Sequence, residues 1–158
     1  MRHLLLLIIL MPFASVAAPP AFESFAVPLH SITNFARIKI PKSGIDWKME
    51  DYLRYSDDDP PNFADKYTLI DAGCGTGCFE FCLIDRTSGK VYPGKDFNCE
   101  YPADYHGPMY FQYHRDSRLL VVYESFGAQY PVHVKYYIWK GAKLKLLETH
   151  DIEAPKKT

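Results

Sequence analysis

Four cysteines, Cys74, Cys78, Cys82 and Cys99, are the residues of this sequence with the widest chemistry open to them. A thiol can be a nucleophile, a metal ligand or half of a disulfide, and spacing discriminates among the three. Cys74 and Cys78 flank Gly75-Thr76-Gly77, a segment flexible enough to bring their α-carbons within bridging range. The Cys-x3-Cys-x3-Cys run lacks the Cys-x2-Cys pairs of common zinc sites, so no metal is assigned. A nucleophilic thiol would need a histidine partner that no local spacing supplies. The reading is therefore two disulfides, Cys74 to Cys78 and Cys82 to Cys99, with Cys74 to Cys82 or to Cys99 as the alternative pairings. Closing the interval of about 17 residues between Cys82 and Cys99 would contribute about 3 kcal/mol by restricting the unfolded chain.

Other groups carry weaker chemical signals. Asp57, Asp58 and Asp59 offer carboxylate oxygens of the kind calcium prefers, but without the alternating register and glycine of a calcium loop they read as a solvated acidic turn. Glu80 and Asp85 would resemble a glycosidase acid pair only if they shared a face, and a regular strand puts them on opposite faces. His30, His106, His114, His133 and His150 show no His-x3-His spacing. Tyr101, Tyr105, Tyr110, Phe111 and Tyr113 crowd one stretch. Most of these rings suit a sheet, but Tyr101 and Tyr105 fall among prolines in a loop and are the preferred contact residues, together with Thr76 in the cysteine turn.

Asp71-Ala72-Gly73-Cys74-Gly75-Thr76-Gly77 resembles motif I of methyltransferases that use S-adenosylmethionine. That motif requires a helix directly after the glycines. Phe79 to Ile84 is aromatic and apolar at that point and reads as a strand, so the resemblance is set aside and no cofactor is assigned. Asn62-Phe63-Ala64-Asp65-Lys66-Tyr67, Gly73 to Cys78 and Asp85-Arg86-Thr87-Ser88-Gly89-Lys90-Val91-Tyr92 together are similar to a pattern of small exported bacterial proteins of unassigned function, over about 35 residues. Asp65 stands where such proteins more often have Gly, and Cys82 and Cys99 are extra. The resemblance implies an envelope location and brings no activity with it.

The elements that position these residues read as mostly β. Ser31 to Ile40 is a candidate first strand, and Asp46 to Tyr55 spaces Trp47, Met49 and Tyr52 as a short helix. Pro60 and Pro61 make Ser56 to Asn62 a loop. Hairpins follow: Tyr67 to Asp71 with Phe79 to Asp85 and Val91-Tyr92, then Met109 to His114 with Arg118 to Phe126, then Val132 to Lys140 with Lys143 to Thr149. Pro93 to Pro108 reads as a long loop. Leu119, Val121 and Tyr123 alternate with Leu120, Val122 and Phe126, so that strand is central. The expected fold is mainly β with a short N-terminal helix (α+β), an antiparallel sheet or small curled barrel of about seven strands.

Met1-Arg2-His3, the apolar run Leu4 to Met11 and the small residues Ser15 and Ala17 before Ala18 read as a signal peptide over residues 1–17, leaving 18–158 as one exported globular domain. Pro12, Ser15, Pro19 and Pro20 cut the apolar run below the roughly 20 residues a membrane span needs, so no membrane insertion is expected once the signal is removed. Without Arg2 the chain carries 17 basic against 19 acidic residues, a balance that excludes a nucleic-acid partner. The hydrophobic fraction of 47% excludes disorder. The expectation is a periplasmic or secreted binding module, of the inhibitor or immunity type, docking a protein of the envelope through Thr76, Tyr101 and Tyr105. The alternative is a small envelope hydrolase with His106 or His114 as base.

Overall fold

The structure is a computed structural model and describes residues 18–156. The signal peptide expected over 1–17 lies outside the described residues. A 3-10 turn at Phe22–Phe25 and one helix, α1 (Trp47–Tyr55), precede eight strands. These are β1 (Tyr67–Gly75), β2 (Cys78–Asp85), β3 (Val91–Pro93), β4 (Phe97–Asn98), β5 (Phe111–Tyr113), β6 (Leu119–Glu124), β7 (Val132–Trp139) and β8 (Leu144–Ile152). They form two four-stranded antiparallel sheets: β1-β2-β3, with β4 also pairing β2, and β5-β6-β7-β8. The fold is thus β-rich α+β, and both sheets keep free edges, so no closed barrel forms. The eighth strand is β4, a two-residue pairing inside the stretch expected to be loop.

Ser31 to Ile40 is not a strand. Its only ladder contact is an isolated bridge from Lys39 to Lys90, because this segment wraps the β2–β3 turn instead of lying along a sheet edge. Ala36 N–H donates to Arg86 O and Lys39 N–H to Gly89 O. Gly89, at φ +71, is required there, since a Cβ would sit 2.0 Å from Arg37 O.

Helix α1 starts where Asp46 accepts a hydrogen bond from Met49 N–H at 2.8 Å, the side-chain cap that satisfies an orphan donor. Met49 and Leu53, four apart, form its buried stripe. They pack on Ile70, Ala72, Cys82, Ile84 and Val91, one face of the first sheet. The opposite face, through Leu69, Phe81, Leu83 and Phe97, meets Leu120, Val122, Tyr137 and Trp139 of the second sheet. The far side of the second sheet, Leu119, Val121, Val132 and Val134, is covered by Phe22, Phe25 and several tyrosines. Strand β6 is buried along its whole length, as a strand apolar on both faces must be, whereas Phe126 lies beyond its end and is exposed.

Arg86, directly after β2, is the largest fully buried side chain. Its Nε donates to Thr68 Oγ1 at 2.7 Å, Nη2 to Ser56 O at 2.5 Å and Nη1 to Asp57 O at 3.3 Å, and the guanidinium lies 5.4 Å from the Phe35 ring centre. Burial lowers its pKa, and the charges of Asp59, Asp57 and Asp58 act the other way. The acidic turn is therefore a counterweight to a buried cation.

Candidate functional site

The β1–β2 hairpin turns at Gly75-Thr76-Gly77, and Cys74 and Cys78 join across it with a Cα–Cα separation of 5.2 Å. Antiparallel pairing brings the cysteines together while a register break between Gly73 and Gly75 gives the turn its slack. Gly77, at φ +67, lies under Glu100, where a Cβ would be 2.1 Å from Cγ. Cys99 N–H donates to Gly77 O at 2.8 Å. Thr76 is exposed at the tip.

The second expected bridge is absent: Cys82 and Cys99 are both free thiols. Register explains this. Asn98 is opposite Cys78, so Cys99 lies at the tip, while Cys82 is four residues along β2, a strand distance of roughly 13 Å, beyond the ~7 Å limit for bridging. Cys82 is buried beneath α1 and its thiol is pushed up to about 12 by burial. Burial, with the Glu100 charge adding, also raises Cys99. Both thiols are protonated near neutral pH, a poor state for nucleophilic chemistry.

Tyr101 and Tyr105 stack at 5.4 Å between ring centres and pack against the outer face of the second sheet. The Tyr101 hydroxyl donates to Tyr123 O at 2.6 Å and accepts from Tyr110 N–H at 2.8 Å, and the Tyr105 hydroxyl donates to Pro108 O at 2.7 Å. These polar tips are spent on shaping the loop. Glu100 and Cys99 link the loop to the Thr76 tip, but the two rings themselves belong to the opposite layer.

The first sheet presents a different surface. Helix α1 lies over the β1–β2 pair, closest to β1, with Asp46 beside Glu80 at one end and Ser56 beside Arg86 at the other. Because 100° per residue places Met49 and Leu53 inward, Trp47, Tyr52 and Tyr55 point outward, at 69%, 52% and 87% exposure. Glu80 faces α1, with Oε1 buried and unpartnered. Its pKa is pushed up to about 7, by burial first, then by the hydrogen bond with Asp46 and the charges of Asp46 and Asp96, with Lys48 opposing. Asp85, on the other face, pairs with Lys66 at 2.8 Å, so Glu80 and Asp85 form no acid pair.

His106 and His114, the candidate bases, have no ring hydrogen bond among the described residues; His114 is exposed and stacks on Phe22 at 3.9 Å. A histidine–carboxylate couple forms elsewhere. Asp65 accepts from His30 N–H at 2.6 Å and pairs with His30 Nδ1 at 2.8 Å. The cleft beside it is lined by no Ser, Thr or Cys, so no aliphatic hydroxyl or thiol faces this couple there. Residues 30 and 65 are far apart in sequence, and the only local sign was Asp65 at a position suited to glycine. Its φ of +70 shows why glycine would suit, and the clamp on His30 shows what the carboxylate adds. Burial raises the Asp65 pKa, but the His30 backbone and ring hydrogen bonds, with the His30 and Arg115 charges, outweigh it and hold it below the usual carboxylate range. A depressed folded pKa means stability present above the unfolded pKa near 4 and lost as pH falls through the folded value. Asp65→Ala is expected to cost about 1–2 kcal/mol at pH 7 and progressively less below pH 4, measured by urea unfolding. Asp65→Gly, which relieves the positive φ, should recover part of that loss, and equal losses for both variants would show that backbone strain plays no part.

Among the described residues, no three His, Cys, Asp or Glu side chains converge as a metal site, and no helix is long and apolar enough to cross a membrane. Comparison of the chain with protein-family models, with curated proteins and with solved structures gives no match.

Proposed function

We propose that this chain is an exported binding module of the bacterial envelope, of the inhibitor or immunity type, that docks a protein partner through the outer face of α1 and the disulfide-tied tip at its N-terminal end. The carrying observation is that one short helix, anchored in the core by Met49 and Leu53, leaves three aromatics exposed around its outer side, Trp47, Tyr52 and Tyr55. Trp and Tyr dominate binding energetics because they bury large area at little rotamer cost, and they are enriched at the centres of protein interfaces. Thr76 adds a polar contact at the tip. The Cys74–Cys78 link keeps that tip ordered before docking, which reduces the entropy lost on association. Tyr101 and Tyr105 pack on the outer face of the second sheet and lie apart from this face. A periplasmic or secreted location suits the disulfide, which persists in oxidising compartments.

The test is capture from unreduced envelope extract by the tagged protein, quantified by mass spectrometry. Trp47→Ser with Tyr55→Ser is expected to reduce recovery of the captured partner at least tenfold while the melting temperature is retained, because both side chains are exposed. Unchanged capture by the double variant would remove the helix face from the interface. Loss on Thr76→Arg alone would place the contact at the tip.

A further inference from the structure

We propose that the cleft between the N-terminal segment and the β7–β8 turn binds a small organic carboxylate with an apolar body. The cleft has a volume of about 410 Å³, within the range of ligand pockets, and lies on the opposite side of the first sheet's core from α1. It is a site separate from the docking face.

Two kinds of wall meet in it. Val27, Pro28, Tyr67 and Trp139 give an apolar side, and Lys66, Arg118 and Lys140 give a cationic one. These cations are not equivalent. Lys66 is held by Asp85, but Arg118 and Lys140 form no ion pair or side-chain hydrogen bond among the described residues. The Nε of Arg118 is buried without a partner. The indole Nε1 of Trp139 is also unpartnered, in a side chain only 3% exposed. Buried donors are nearly always satisfied, because each one left unmade costs about 1–3 kcal/mol, and two of the residues lining this cleft each carry one that a small shift could turn to an incoming acceptor.

The one lining carboxylate does not cancel this field. Asp65 is already engaged by His30 N–H and the His30 ring, with Arg115 donating to its backbone oxygen. Two free cations, one of them a planar guanidinium that matches a carboxylate in two-point geometry, suit a monoanion. The apolar wall suits a hydrocarbon or aromatic body, and a phosphate would leave that wall unused.

Trp139 supplies the readout. Trp47 and Trp139 are the two tryptophans, so Trp47→Phe isolates emission from the cleft. We would titrate that protein with 3-phenylpropanoate and with its neutral analogue 3-phenylpropanamide. A saturable change in Trp139 emission is expected with the carboxylate, with affinity at least tenfold weaker for the amide, for Arg118→Gln and for Lys140→Gln. Lys140 is exposed, so its variant reads binding even if Arg118→Gln alters folding. Absence of saturation with the carboxylate, equal response to the amide, or Lys140→Gln binding as tightly as its parent would each overturn the proposal. Displacement by inorganic phosphate at equal concentration would overturn the requirement for an apolar body.

Discussion

Arg86→Ala is expected to lower the free energy of unfolding by about 3–5 kcal/mol, the largest effect of any single substitution outside the apolar core. The guanidinium is fully buried and reaches two elements at once, Thr68 on β1 and the carbonyls of Ser56 and Asp57 just past α1. Truncation strands those acceptors in a dry site, leaves a cavity beside Phe35 and removes the cation that balances Asp57, Asp58 and Asp59. Arg86→Lys keeps the charge but cannot reproduce three donors in a fixed fork, and should still cost about 2 kcal/mol. For a domain whose total stability is of the order of 5–15 kcal/mol, the alanine variant approaches the threshold of folding. The measurement is the urea midpoint at constant slope. A shift worth less than about 1 kcal/mol would mean that water replaces the guanidinium without loss.

Glu80→Gln should act in the opposite direction, with a gain that grows above about pH 4.5 and is complete above about 7. The folded-state pKa of Glu80, about 7, is above its value of 4.5 in an unstructured chain. Between those values the folded protein holds a proton that the unfolded chain releases, so this group makes the protein less stable as pH rises from about 4.5 to 7. Above 7 the carboxylate is charged beside Asp46, the residue that caps α1. Glutamine keeps the shape and a donor for Asp46 without the charge. At pH 8 the variant is expected to be more stable than the parent by about 1–2 kcal/mol after allowance for solvent screening, raising the melting temperature by several degrees. At pH 4, below both pKa values, the two proteins should melt together. A gain of the same size at both pH values would assign the effect to something other than ionisation. Asp65 and Asp85, both held below the carboxylate range, give the reverse slope at acidic pH.

What could be read from the sequence divides along the distance between interacting residues. The short helix after Asp46, the hairpins and the central position of β6 are written in local patterning, and the structure has each of them, although of Trp47, Met49 and Tyr52 only Met49 turns into the core. The Cys74–Cys78 link is also local, four residues apart across a glycine turn. Where the reading failed, the deciding partner was remote. Ser31 to Ile40 has strand-like residues, but the carbonyls and amides it meets belong to the β2–β3 turn. The Cys82 to Cys99 bridge was excluded by β4, a pairing of two residues too short to leave a pattern. The buried role of Arg86 leaves no sign in the sequence, since no local rule marks an arginine whose acceptors are about 18 and 30 residues away. Exposed aromatics are no easier to read locally. Tyr101 and Tyr105 lie in a loop, but their hydroxyls bind backbone, and the exposed aromatics of α1 follow a spacing that also fits burial.

The pinning of the N-terminal segment also sets an order of events when the chain folds. Phe22 O accepts from Ser117 Oγ, 95 residues away in sequence, Val27 N–H donates to Asp116 O, and Ala26 bridges Ser117. A chain appearing from its amino end presents this segment first, but its docking site exists only after β6 has been delivered. The N-terminal cover of the second sheet therefore cannot close before residues 116 and 117 are in place, a loop closure of high contact order, and such closures place a domain among the slower folders. Until then the apolar face of β6 and β7 stays uncovered, so this is the interval in which the nascent protein is most open to chaperones and to self-association.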